Sequence, residues 1–198
     1  MFSIRRRYLT LTAGMRVVFW FALGSAAGAL FLSYFGARRL PAVVISGWII
    51  GLLPFVLLLG SLAGVILLLA GRSKSGGSVF LFTLWAAFLC LPLAVSGTGF
   101  AAAVTVFLLT LFLFRRVYSD SPGETGAAIG IFLAVVALSL DTLIVWQRIE
   151  AAESFINLLN ASAVTVLITL PVVVTHNIAP YSIRAKLMLA FVLITGLP

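Results

Sequence analysis

Charge is what this sequence has least of, and acid least of all: 5 Asp and Glu stand against 13 Lys and Arg in 198 residues, 9% charged in total. A soluble domain carries about 25% charged residues, so a water-facing surface of ordinary composition is excluded. Cysteine occurs once, at Cys90 inside an apolar run, which excludes an intrachain disulfide and a cysteine-only metal cage. Histidine also occurs once, at His176, which excludes an HExxH zinc site and a pair of axial haem histidines. Phosphate-cradling glycine loops, nucleophile elbows and kinase motifs are missing as well. No catalytic residue, metal site or cofactor is expected from what remains.

What is present is apolar. The composition is 63% hydrophobic, with a mean hydropathy of +1.23. Lipid solvates such an exterior, and the backbone polar groups must then be satisfied inside helices. The expected fold is all-α, a polytopic transmembrane helical bundle. The net charge of +8 does not point to nucleic acid, because the basic residues fall in short clusters between apolar runs, where they act as topology signals.

Six complete spans and the beginning of a seventh are expected, at residues 17–35, 41–70, 79–95, 100–114, 125–146, 155–174 and from 187. The charge-free run 79–114 is 36 residues long. As one helix it would extend about 54 Å, against a hydrocarbon core of about 30 Å. Ser96-Gly97-Thr98-Gly99 near its middle is turn chemistry, so a hairpin is expected there. Gly71-Arg72-Ser73-Lys74-Ser75-Gly76-Gly77 reads as an inter-span loop.

Charge supports this count. With the N-terminus inside, 10 basic residues are inner (Arg5, Arg6, Arg7, Arg16, Arg72, Lys74, Arg115, Arg116, Arg184, Lys186) and 3 are outer (Arg38, Arg39, Arg148). Reading 79–114 as a single span gives 7 and 6, which the positive-inside rule disfavours. The expected organisation is a cytoplasmic basic N-terminus (1–16), a six-span membrane domain (17–175), a cytoplasmic linker (176–186) holding His176 near its start, and the opening of a span (187–198). Arg5-Arg6-Arg7 has some likeness to a twin-arginine export signal, but Arg16 intervenes before the apolar stretch, so a basic cytoplasmic anchor is the reading adopted. Trp20, Tyr34, Tyr118, Trp146 and Tyr181 fall near span ends, as interfacial aromatics do. Trp48 and Trp85 are expected to pack between helices.

Asp141 is the sharpest residue, the acid that falls within a predicted span. Carboxylates in membrane helices are costly and tend to serve function. Its place in the outer third of the fifth span leaves Arg148, Arg38 and Arg39 as ion-pair partners, and the sequence does not choose among them. Ion pairing and ligand or proton sensing are its two readings. Glu150 and Glu153, three apart in an outer loop read as solvated, would share a face if that segment were helical. Glycines four apart recur: Gly24 and Gly28, Gly47 and Gly51, Gly60 and Gly64, Gly126 and Gly130. That spacing lets helix backbones approach closely, either within the chain or in a homodimer through the small-residue faces. Pro54, Pro92 and Pro171 mark kinks, with a bend near Gly51 and Pro54 expected in the long second span.

The segment Tyr181-Ser182-Ile183-Arg184-Ala185-Lys186-Leu187, followed by an apolar run to Pro198, resembles the opening transmembrane helix of bacterial sensor receptors: sensor histidine kinases, diguanylate cyclases and chemotaxis-type receptors. The resemblance covers residues 181–198. It implies an N-terminal membrane module in the inner membrane that relays a ligand- or membrane-dependent helix rearrangement to a downstream output domain, with the lipid bilayer as its solvent. A transporter or permease, in which three spans and three inverted spans form a repeat, and a membrane anchor of an enzyme are the competing readings.

Overall fold

The computed structural model describes residues 7–36, 45–119, 121–143, 148–150 and 152–177. Among the described residues six long helices follow one another: α1 (Ala13–Gly36), α2 (Ile45–Leu69), α3 (Ser73–Ala94), α4 (Gly99–Val117), α5 (Gly123–Leu143) and α6 (Glu153–Asn177). No β-strand occurs among the described residues; extended pairing is confined to one isolated parallel bridge, Val95 with Ile149. Among the described residues, five helices hold segments long and apolar enough to cross a bilayer: Ala13–Phe31, Trp48–Leu69, Ser73–Ala94, Gly99–Val117 and Glu124–Leu143. The chain is therefore a multi-pass helical membrane protein in its architecture.

Local chemistry sets the helix ends. Thr12 caps α1, its Oγ1 accepting from Met15 N at 3.3 Å. The α2–α3 connection is far shorter than the sequence implies. Gly71, at φ +83°, ends α2 with the paired bonds Arg72 N to Leu67 O (3.0 Å) and Gly71 N to Leu68 O (3.2 Å), the pattern of a glycine-terminated helix. Helix α3 then begins at Ser73. Gly76 and Gly77 are thus buried helix residues and not loop residues. A Cβ on Gly76 would lie 2.8 Å from Gly64 O, and one on Gly77 would lie 2.8 Å from Val117 Cγ2.

The run 79–114 is a hairpin. Helix α3 stops at Ala94, Gly97 turns the chain at φ +78°, and α4 starts at Gly99. Helices α3 and α4 form the centre of the bundle. The former packs on α1, α2, α4 and α5, and the latter on α1, α3, α5 and α6. One core joins Val18 and Ala22 of α1, Leu68 of α2, Phe80 and Leu84 of α3, and Leu113 and Val117 of α4. A second, of small residues, joins Ala102 and Ala103 of α4 to Ala137 of α5. Helix α6 meets α4 through Ala163 against Ala101 and Val104. Inside the central pair, Trp85 Nε1 donates to Thr110 Oγ1 at 2.9 Å, and Thr110 donates to Val106 O at 2.6 Å. Each buried polar group there has a partner.

Several expectations change. Trp48 does not pack between helices: it is 63% exposed on the outer surface, while Trp85, half-buried, packs against the core and reaches Thr110 of α4. His176 lies within α6, which continues to Asn177, so the chain is still helical where a linker was expected to begin. Glu150 precedes α6 and Glu153 opens it; the two do not share a helix face. Arg38, Arg39, Trp146, Tyr181 and the segment 187–198 lie outside the described residues.

Candidate functional site

The α3–α4 turn, the end of α5 and the start of α6 meet at one end of the bundle. Both ends of the α3–α4 hairpin leave backbone groups unsatisfied by the helices themselves. The last turn of α3 exposes carbonyls with negative partial charge, and the first turn of α4 exposes N–H groups with positive partial charge. The local sequence does not cap α4: Thr98 occupies the cap position, but its hydroxyl bonds back to Val95 O at 2.8 Å.

Asp141, in the last turn of α5, supplies the cap from another helix. Its Oδ1 accepts from Gly97 N at 3.1 Å and its Oδ2 from Gly99 N at 3.0 Å. Arg148 completes the arrangement. Its Nη1 donates to Asp141 Oδ1 at 2.6 Å and to Pro92 O, in the final turn of α3, at 3.1 Å. An anion thus sits at the α4 N-terminus, a cation at the α3 C-terminus, and the two pair with one another. The pair is mostly shielded, with side chains 16% and 18% exposed for Arg148 and Asp141, so its attraction is screened less than that of a surface ion pair.

The backbone around the pair is pinned too. Ile149 N donates to Ala94 O at 2.9 Å, and Ser96 N to Ile149 O at 3.2 Å. The segment that leads into α6 is therefore stitched to the turn it covers. Two glycines make the approach feasible. At Gly99 a Cβ would lie 2.4 Å from Asp141 Cβ, and at Gly97 the positive φ is joined by Ile156 of α6 at 3.3 Å. In the sequence Gly97 and Gly99 read as turn formers only. The signal that could have found their role is a glycine pair in a hairpin turn together with an intramembrane carboxylate near the same end.

The other proposed residues separate into two groups. Gly60, Gly64, Gly126 and Gly130 pack within the chain: a Cβ on each would meet Thr83 Oγ1 at 2.1 Å, Phe80 Cβ at 3.1 Å, Phe114 Cδ1 at 2.8 Å and Phe107 Cδ2 at 3.1 Å, respectively. Gly24, Gly28 and Gly51 are exposed, with nothing within 4 Å of a Cβ, so close packing within the chain does not explain them among the described residues. Gly47 lies in α2, with its surroundings outside the described residues. Among the described residues there is no group of three or more His, Cys, Asp or Glu able to hold a metal ion.

Comparison with protein-family models, curated proteins and solved structures finds no match to this chain.

Proposed function

We propose that this chain is the membrane module of a bacterial signalling receptor, crossing the inner membrane six times with its N-terminus in the cytoplasm and a seventh span opening at residue 187. The observation that carries the reading is where α6 begins. The segment before it is bound to the Asp141–Arg148 cap, and Ile156 in its first turns rests near Gly97. From there α6 runs along the bundle with its described core contact on α4, made by Ala163, and leads to the segment 181–198 that resembles a receptor helix. A stimulus that changes the cap would displace the start of α6, and the helix would carry that displacement to the opposite end. Such a stimulus acts only through its difference in affinity for the two arrangements.

The interior supports a packing relay over a solute path. Among the described residues the buried polar side chains are Ser61, Thr98 and Thr110, and the hydroxyls of Thr98 and Thr110 are committed to the backbone carbonyls of Val95 and Val106. The direct test is to read the coding sequence past codon 198. A return span followed by a signalling output domain is the expected result. Further spans carrying paired intramembrane charges would overturn the proposal in favour of transport.

A further inference from the structure

The end of the bundle opposite the cap gathers cations that are far apart in sequence. Arg7 is brought there by its Nη1, which donates to Leu69 O at the end of α2 (3.2 Å). Arg16 folds back onto Leu11 O (3.1 Å) and Leu9 O (3.0 Å), with its guanidinium 5.7 Å from the Tyr8 ring. Arg72 and Lys74 follow the glycine turn at Gly71. Arg115 and Arg116 lie in the last turn of α4, and the start of α1 passes close to Arg116, since a Cβ on Gly14 would lie 3.5 Å from Arg116 Cβ. Tyr118 OH donates to Ser78 Oγ at 2.7 Å, holding the end of α4 against the start of α3.

Four of these six cations, Arg7, Arg72, Lys74 and Arg115, are exposed, and Arg16 and Arg116 are half-buried. The described acid at this end is Glu124, whereas Asp141, Glu150 and Glu153 lie at the other. The carbonyls taken by Arg7 and Arg16 occupy a fraction of each guanidinium's five donors and hold the heads in place near the ring of helix ends. Beside them, Trp20 Nε1 donates to Tyr8 OH at 3.0 Å, and Trp20 is 58% exposed. That pairing of an apolar ring with a polar tip suits the headgroup level of a bilayer.

We propose that this basic end is a docking surface for anionic phospholipid headgroups, whose phosphates are held by Arg7, Arg72, Lys74 and Arg115 while Tyr8 and Trp20 fix the depth of the ring. The match is one of charge and of place: headgroup phosphates lie at the level where the apolar helices end. It does not depend on the receptor reading, since a transporter or an enzyme anchor would carry the same surface. Each basic residue near an anionic surface adds about 1 kcal/mol, about fivefold in partition.

The test is native mass spectrometry of the full chain released from micelles containing equal amounts of phosphatidylglycerol and phosphatidylcholine. Wild type is expected to retain phosphatidylglycerol preferentially, and the triple variant R72Q/K74Q/R115Q to lose that preference by about fivefold per cation. The variant's thermal unfolding in phosphatidylcholine serves as the folding control. Should it fail that control, a salt titration of wild type decides instead, with retention expected to fall as ionic strength rises. Equal retention of the two lipids by wild type, an unchanged preference in a folded variant, or insensitivity to salt would overturn the proposal. Displacement of phosphatidylglycerol by millimolar inorganic phosphate would overturn the lipid as the source of the anion.

Discussion

Replacing Asp141 by alanine is the most informative perturbation of this protein. It removes the acceptor of Gly97 N and Gly99 N and the partner of Arg148. The guanidinium keeps Pro92 O, and the two N–H groups are left at a helix start with no side chain of their own to cap them. Hydrogen bonds to charged groups contribute about 1.5–3 kcal/mol each, and removing one member of a buried pair costs about 3–5 kcal/mol. The pair here is 16–18% exposed, so water recovers part of the loss. We expect D141A to cost about 3 kcal/mol. R148A is expected to cost less, about 1–2 kcal/mol, because the carboxylate keeps both backbone donors. D141N should fall near D141A, since its amide presents one acceptor and one donor where two N–H groups converge.

The assay is reversible unfolding in mixed micelles, with the double variant D141A/R148A closing a thermodynamic cycle. The two substitutions should be markedly non-additive. A D141A protein within about 0.5 kcal/mol of wild type, the range of an ordinary surface change, would refute the tertiary cap. So would an R148A cost larger than that of D141A.

Four further variants use the same unfolding assay. G60A is expected to lose about 1–3 kcal/mol by overpacking, because its Cβ would fall on Thr83, whose Oγ1 is already committed to Val79 O. G28A, with open space around it, should be neutral or gain up to about 1 kcal/mol of helix propensity; equal losses for the two would contradict the packing. G97A should cost about 1–2 kcal/mol for a left-handed backbone carrying a side chain, and a smaller value would mean that the turn relaxes. T110V leaves the Trp85 indole N–H without its acceptor and should cost about 1–3 kcal/mol; a neutral result would show that the indole finds another partner.

The helical class and the hairpin at residues 96–99 were legible because hydropathy and length are one-dimensional properties of the chain. A 36-residue charge-free run cannot cross once, and a glycine turn near its middle leaves little choice of where to fold back. The start of α3 was not legible. Ser73 to Gly77 has the composition of a loop, yet close helix packing wants glycine just as a turn does, and only the position of Gly64 and Val117 distinguishes the two. Trp48 was misplaced for a related reason: depth along a helix follows from sequence, but the direction a side chain faces depends on which neighbours the helix finds.

The sequence by itself therefore determined that this is a membrane-embedded helical chain, where most of its helices run, and that Asp141 stands apart from its apolar setting. Tertiary structure decided which charge meets that carboxylate and which glycines are contacts. Gly60 and Gly64 press on α3 while Gly24 and Gly28 face outward, although the spacing is the same. The physical reason is that spacing fixes a helix face and not what lies opposite it. The partner of Asp141 depends on bringing residues 92, 97, 99 and 148 together at one end of the bundle, a juxtaposition that exists only once α3, α4 and α5 are packed.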